Sequence, residues 1–177
     1  MMNYTYDQYG RAATVKYPDM EVANENGWVT ATGAVYTNSY DAMGRLSGMT
    51  SPMGSVTGVS YNYRSQMTAM SWSLPGGNFG SETRQYNAYG QMTFLNVGGT
   101  NPGAFSETYN YSTTQNDGRV TSIVRGGEEV VYQYDALQRL VRAETTGAGG
   151  WGMSWSYDGW GNRTSQGVVK GTVPVNS

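Results

Sequence analysis

The chain has 177 residues, of which 14% are charged, and a formal net charge of −2 at pH 7. It contains no cysteine and no histidine, which excludes disulfides, thiolate metal sites and serine–histidine or cysteine–histidine catalysis. It has no basic stripe of the kind that neutralises nucleic-acid phosphates, and no apolar run of about 18 residues that would span a membrane as a helix.

The first predicted element is a β-hairpin. Met1-Met2-Asn3 leads straight into a strand pattern, with no signal peptide ahead of it. The strand runs through Tyr6 into Asp7-Gln8-Tyr9-Gly10-Arg11 and then into a second strand. Aspartate is favoured at the first position of a type I turn, where its carboxylate accepts backbone N–H groups. Glycine at the last position supplies a positive φ, which makes a common hairpin closure. Residues 19–33 interrupt the pattern and read as an insertion.

The same instruction then recurs. Tyr40-Asp41-Ala42-Met43-Gly44-Arg45 is a clear copy, preceded by Tyr36 and Asn38 on the same strand face. Tyr61-Asn62-Tyr63-Arg64 is an altered copy, and Tyr86-Asn87-Ala88-Tyr89-Gly90-Gln91 a weaker one. Tyr109-Asn110-Tyr111 opens a longer turn that closes at Gly118-Arg119. Tyr134-Asp135-Ala136-Leu137-Gln138-Arg139 and Tyr157-Asp158-Gly159-Trp160-Gly161-Asn162 complete the series. Between the copies lie Gly- and Pro-rich breakers at 73–78, 98–103, 126–128 and 147–150. Tyr6, Tyr40, Tyr63, Tyr86, Tyr111, Tyr134 and Tyr157 are read as the tyrosines that lead into the turns. From Tyr40 onward they are spaced by 23, 23, 25, 23 and 23 residues, and the first step is 34.

A motif repeated at this period specifies a stack of units, each burying a face on its neighbours. The fold class is therefore all-β: a repeat array of about seven antiparallel hairpins in a twisted, curved strip. The array is expected over residues 1–167, with residues 168–177 as a C-terminal tail. Tyrosines should line one face, and the Asp-x-x-Gly turns should align along one edge.

The units resemble the YD repeats of the Rhs family, which occur in bacterial Rhs and wall-associated proteins, Tc-toxin cocoon subunits and teneurins. The matching residues are the Tyr-Asp-x-x-Gly-Arg cores, with Leu46, Val120 and Leu140 following the arginine. The stretches 109–119, 127–140 and 155–163 are most similar to bacterial members. The resemblance implies a coiled strip of hairpins that, in full-length relatives, winds into a hollow shell around a toxin or forms part of an adhesion ectodomain. It implies a secreted or cell-surface location, as a fragment of a longer protein. This chain has fewer repeats than a closed shell, lacks the Asp-Pro-x-Gly autoprotease motif and carries no effector domain after residue 165.

Several residues are candidates for function. Asp7, Asp41, Asp135 and Asp158, with Gly10, Gly44, Gly90, Gly118 and Gly161, read as turn-forming residues. One carboxylate per turn does not supply the six or more oxygens that calcium needs. No pair of carboxylates is selected for glycoside hydrolysis, and the chain is read as not an enzyme, with no cofactor. Arg11, Arg45, Arg119, Arg139 and Arg163 read as partners of nearby carboxylates or tyrosines. Trp72, Trp151 and Trp160 are the candidate ligand-binding residues, by stacking on sugar rings if exposed. The expected partners are neighbouring YD repeats or other copies of the chain, and an enclosed effector or a surface glycan. Structural wall is thus the leading reading and an adhesive module the alternative. Exposed Trp72, Trp151 and Trp160 would favour the adhesive one. Both ends of such a strip carry a free strand edge, so either self-association or a tail that folds back as a cap is expected. Tyr4-Thr5-Tyr6 carries no blunting residue, whereas Lys170 and Pro174 lie near the other edge.

Overall fold

A computed structural model describes residues 1–25, 27–100 and 103–172. Of the features read from sequence, Asn101 and Pro102 in the joint at 98–103, and Pro174 in the tail, lie outside the described residues. The described residues form sixteen strands: β1 (Asn3–Tyr6), β2 (Ala12–Lys16), β3 (Met20–Asn24), β4 (Gly27–Ala31), β5 (Val35–Tyr40), β6 (Leu46–Ser51), β7 (Gly54–Tyr61) and β8 (Met67–Leu74), followed by β9 (Asn78–Tyr86), β10 (Met92–Gly99), β11 (Phe105–Tyr111), β12 (Val120–Arg125), β13 (Glu128–Tyr134), β14 (Leu140–Thr145), β15 (Gly152–Tyr157) and β16 (Arg163–Lys170). Fourteen form one open sheet in chain order, with β3 and β4 left out as a separate two-stranded hairpin. These strands pair antiparallel, and no helix occurs among the described residues. The architecture is therefore all-β, seven consecutive hairpins with an eighth inserted.

The β3–β4 hairpin explains the long first step of the repeat. It occupies the insertion, and the main sheet resumes by pairing β2 directly with β5. Its base is tied to the sheet by Asp19, which accepts from the Gly33 N–H at 2.8 Å and pairs with Lys16 at 3.1 Å. Tyr17 and Tyr36 pack their rings 5.5 Å apart beside it. At the other end, β16 runs through Lys170, so the array extends past residue 167, where the sequence pattern fades.

The chain divides into two compact units, Met1–Arg84 with Val97–Ala104, and Gln85–Asn96 with Phe105–Ser177. In the first, register places Tyr4, Val15 and Tyr36 opposite one another on one face, and Met49, Val56, Trp72 and Gly80 likewise. The opposite face carries a row of hydroxyls: Thr5, Thr14, Thr37, Thr50, Ser55 and Ser73. Thr5 and Thr14 bond at 2.6 Å, and Ser55 and Ser73 at 2.8 Å. In the second unit, Tyr109, Ile123, Val130 and Thr145 align, as do Tyr132, Ala143, Met153 and Val168. Behind them lie Gln133, Arg142, Ser154 and Gly167. Period-two alternation thus sorts aromatic and aliphatic residues to one face and polar residues to the other.

Among the described hydrophobic residues only Val97 and Ala143 are buried. The sheet is not folded around a conventional core. Its stability rests on the ladder, on cross-strand pairs worth roughly 0.2–1 kcal/mol each, and on contacts between successive hairpins. The far-end joints follow turn chemistry: Gly126 and Gly127, at φ 58° and 83°, form a two-residue turn between Arg125 and Glu128.

Candidate functional site

The recurrent chemistry lies at the Asp-x-x-Gly turns. In the first, Asp7 Oδ1 accepts from the backbone N–H groups of Tyr9 at 2.8 Å and Arg11 at 3.0 Å. Oδ2 accepts from Arg11 Nε at 2.7 Å. The backbone closes the loop, with Gly10 N–H donating to the Asp7 carbonyl and Asp7 N–H to that of Arg11. Asp41 with Arg45 and Asp135 with Arg139 repeat this set. Asp158 does so with Asn162 in the arginine position.

Two turns carry the neutral version. Asn62 and Asn87 Oδ1 accept the same two N–H groups, while their Nδ2 donates to the Oε1 of Gln66 at 2.9 Å and Gln91 at 2.6 Å. Aspartate takes either donor, arginine or the Asn162 amide, whereas asparagine needs an acceptor and finds it in glutamine, because arginine has none to offer an asparagine N–H. This correlation was visible in the sequence as an i,i+4 pairing but was not read from it.

The Asn62 turn also corrects the register. Tyr61, not Tyr63, occupies the strand-closing position there, and Ser65 takes the glycine place at φ 60°. Tyr63 sits on the turn itself, 84% exposed. A second tyrosine two residues on mimicked the period, because 63 keeps the 23-residue step and 61 does not. The remaining tyrosines, Tyr6, Tyr40, Tyr86, Tyr111, Tyr134 and Tyr157, close their strands. Gly10, Gly44, Gly90 and Gly161 hold the positive-φ position of their turns, and Gly118 has positive φ at the end of the long one.

The turns are coupled to one another. The Tyr40 hydroxyl donates to the Ala12 carbonyl at 2.9 Å, Tyr61 to Leu46 at 2.7 Å, Tyr111 to Met92 at 2.9 Å, Tyr134 to Val120 at 3.0 Å, and Tyr157 to Leu140 at 2.8 Å. Each acceptor is the first residue after the preceding turn. The arginine of that turn then lies over the same tyrosine: Arg11 over Tyr40 at 4.4 Å, Arg45 over Tyr61 at 4.5 Å, Arg119 over Tyr134 at 5.0 Å and Arg139 over Tyr157 at 4.9 Å. Arg139 Nη1 also donates to the Asp158 carbonyl at 2.9 Å. Turn and lock are therefore one device, in which a single arginine neutralises its own turn and caps the next hairpin's tyrosine.

These contacts set the titration of the turn acids. Asp41 and Asp135 are held below the usual 3.8 first by the N–H groups of Arg45 and Arg139. Asp158 is lowered first by the Asn162 amide, and Asp117 by the Arg119 guanidinium. At Asp7 partial desolvation pushes upward, but the bonds from Arg11 and Tyr9 outweigh it. All of these carboxylates are acceptors within their own turns. Among the described residues no group of three acidic side chains gathers as a metal site.

The three candidate tryptophans separate. Trp72 is half-buried, its ring lying so close over Gly80 that a Cβ there would meet it at 2.3 Å. Trp151 is half-buried, its backbone held by Thr145. Trp160 alone stands out, 92% exposed at a turn apex. Sequence reading passed over a wider pattern: Tyr9, Met43, Tyr89 and Leu137 are exposed at the same apex position as Trp160.

No protein-family model matches the sequence, and no curated protein matches it. Solved structures do. The chain is similar in fold to the crystal structure of TcdB2-TccC3-Cdc42, with a TM-score of 0.65 and 13% identity over 90% of this chain. It is also similar to TcdB2-TccC3, at TM-score 0.53 and 14% identity over 94% of the chain. TcdB2-TccC3 without its hypervariable C-terminal region matches at TM-score 0.50 and 13% identity over 93%. The chain spans 9% to 11% of the length of those chains.

Proposed function

We propose that this chain is a non-catalytic wall segment of a secreted or surface YD-repeat shell that encloses or presents a toxin or effector. The observation that carries the reading is the hairpin-to-hairpin lock, made by five tyrosine hydroxyls and four arginines. A wall must transmit order from hairpin to hairpin, and here five turns are each joined to the tyrosine of the next hairpin. Fold likeness to TcdB2-TccC3 chains supports it, as does the sequence resemblance to YD repeats. Two of the three candidate tryptophans being half-buried weighs the same way.

Native trypsin digestion tests the reading. The bonds after Arg11, Arg45, Arg119 and Arg139 lie at the locks and should survive until the chain unfolds. Rapid cleavage there in the native state would mean that the turns open independently, and no continuous wall would exist.

Trp160 favours the second reading, an adhesive module that binds a glycan or partner protein through an exposed aromatic. Its test is a glycan titration followed by tryptophan fluorescence. A saturable change that Trp160→Ala abolishes would establish the adhesive reading, and a flat response would remove it.

A further inference from the structure

The turn after β11 departs from the repeat. The short turns join their strands with five residues, whereas eight, residues 112–119, join β11 to β12. This long turn is pinned from below. Ser112 Oγ accepts from the Gln115 N–H at 2.9 Å, and Asn116 Oδ1 from the Gly118 N–H at 3.1 Å. Asn116 also exchanges two bonds with Gln91 of the preceding turn, each 2.8 Å long. Gln91 Oε1 accepts from Asn87 Nδ2 as well, so three amides tie the two turns together. The outer side chains of Thr113, Thr114 and Gln115 are exposed and make no hydrogen bond among the described residues.

Between these turns lies an open cavity of about 850 Å³. That is within the range of about 300–1,000 Å³ usual for ligand sites. Thr93, Thr108 and Asn110 line it from β10 and β11, and residues 113–115 line it from the long turn. Tyr89 lines it too and is 77% exposed. No lysine or arginine lines the cavity. The one acid, Asp117, is engaged by Arg119, whose guanidinium bonds Oδ2 and whose backbone N–H donates to Oδ1 at 3.2 Å.

We propose that this cavity binds a neutral oligosaccharide. Amide and hydroxyl side chains each offer both a donor and an acceptor, which is what the hydroxyls of a sugar require in return. A charged ligand would meet no free counter-charge and would lose hydration without replacement. An apolar ligand would leave the lining amides and hydroxyls unpaired. The exposed ring of Tyr89 supplies a flat apolar surface for the C–H face of a pyranose. The amide ties hold the long turn in place before a ligand arrives, which lowers the ordering cost of binding. The proposal goes beyond the wall reading and rests on residues other than Trp160, which does not line the cavity.

A printed array of neutral and acidic glycans, probed with the whole chain, followed by calorimetric titration of the best-retained neutral glycan, tests this. Neutral glycans should be retained. Tyr89→Ala should weaken binding about five- to tenfold, the value of one aromatic contact, while Tyr89→Phe keeps it. Gln115→Ala should weaken it about fivefold, the value of one hydrogen bond. Urea midpoints equal to that of the wild type separate lost binding from lost fold, and Trp160→Ala should bind as the wild type does. No retention of neutral glycans, retention of acidic glycans alone, or binding that Tyr89→Ala and Gln115→Ala leave unchanged would each overturn the proposal. Binding abolished by Trp160→Ala but not by Tyr89→Ala would overturn it too, and would leave the adhesive reading at Trp160 standing.

Discussion

Gln138 occupies the left-handed position of its turn, at φ 64°, where four other turns carry glycine. A side chain in that region costs about 1–2 kcal/mol, because Cβ crowds the following carbonyl. Glycine returns about 0.5–1 kcal/mol of this through its greater freedom in the unfolded chain. The Gln138 side chain is exposed, and the turn uses its N–H, which donates to the Asp135 carbonyl at 2.9 Å and which glycine keeps. Gln138→Gly should therefore stabilise the protein by roughly 0.5–1 kcal/mol, equivalent to about 1–4 °C in Tm for a chain of this size. Gly44→Gln is the mirror experiment. Gly44 has φ 80°, and a Cβ there would lie 3.2 Å from Arg11 Nη1, so this change should destabilise by at least as much. Urea unfolding of both variants, with hydrogen exchange of the amides of residues 135–139, measures the effect. A neutral or destabilising Gln138→Gly would refute the assignment of strain to this turn.

Tyr157→Phe removes the donor to the Leu140 carbonyl while keeping the ring under Arg139. It should cost about 1 kcal/mol and raise exchange in β14 and β15 ahead of the remainder of the second unit. Acid should loosen every charged turn together. The carboxyls of Asp7, Asp41, Asp117, Asp135 and Asp158 have folded values below 3.8, so their contribution is complete above about pH 4 and lost as pH falls through the lowered values. Urea midpoints should be flat from pH 7 to about pH 5 and fall below pH 4, and an unchanged midpoint at pH 2 would show that the turns do not depend on ionised aspartate.

How far the sequence reveals the fold depends on where its information is local. Asp41-Ala42-Met43-Gly44-Arg45 states its whole turn, because each bond in it spans four residues or fewer. Strand order follows, since hairpins in series pair with their neighbours. The lock is less legible: Tyr157 to Leu140 is a side-chain bond across 17 residues, and nothing in the tyrosine specifies its acceptor. Tyr63 shows how a period can mislead. Spacing favoured it, while the Asn62–Gln66 pair fixes Tyr61 as the closing residue through hydrogen bonds that a motif search for Asp and Arg does not see. Solvent exposure was least legible, because in a sheet with almost no buried side chains apolar character does not predict burial. Trp72 and Trp160 are the same residue type, yet one covers Gly80 and the other stands at an apex.

The coupling of acid with arginine and amide with glutamine makes a final prediction that only the turn chemistry supplies. In Asp41→Asn, one amide group must face Arg45 Nε and the other the N–H groups of Met43 and Arg45. If Oδ1 keeps the backbone pair, Nδ2 points at a guanidinium that can only donate. If the amide flips, the backbone N–H groups lose their acceptor. Either way one bond to a charged group is lost without replacement, a loss that water reduces because the Asp41 side chain is 24% exposed. Arg45→Gln alone keeps an N–H donor for Asp41 but gives up the stacking on Tyr61, worth roughly 0.5–1 kcal/mol. The double variant reproduces the amide pair that Asn62 and Gln66 already form at 2.9 Å. It should therefore be more stable than the sum of the single changes by about 1 kcal/mol, read from a double-mutant cycle in urea. Additive losses would mean that the two polar patterns are not alternatives, and that the neutral turns stand by some other means.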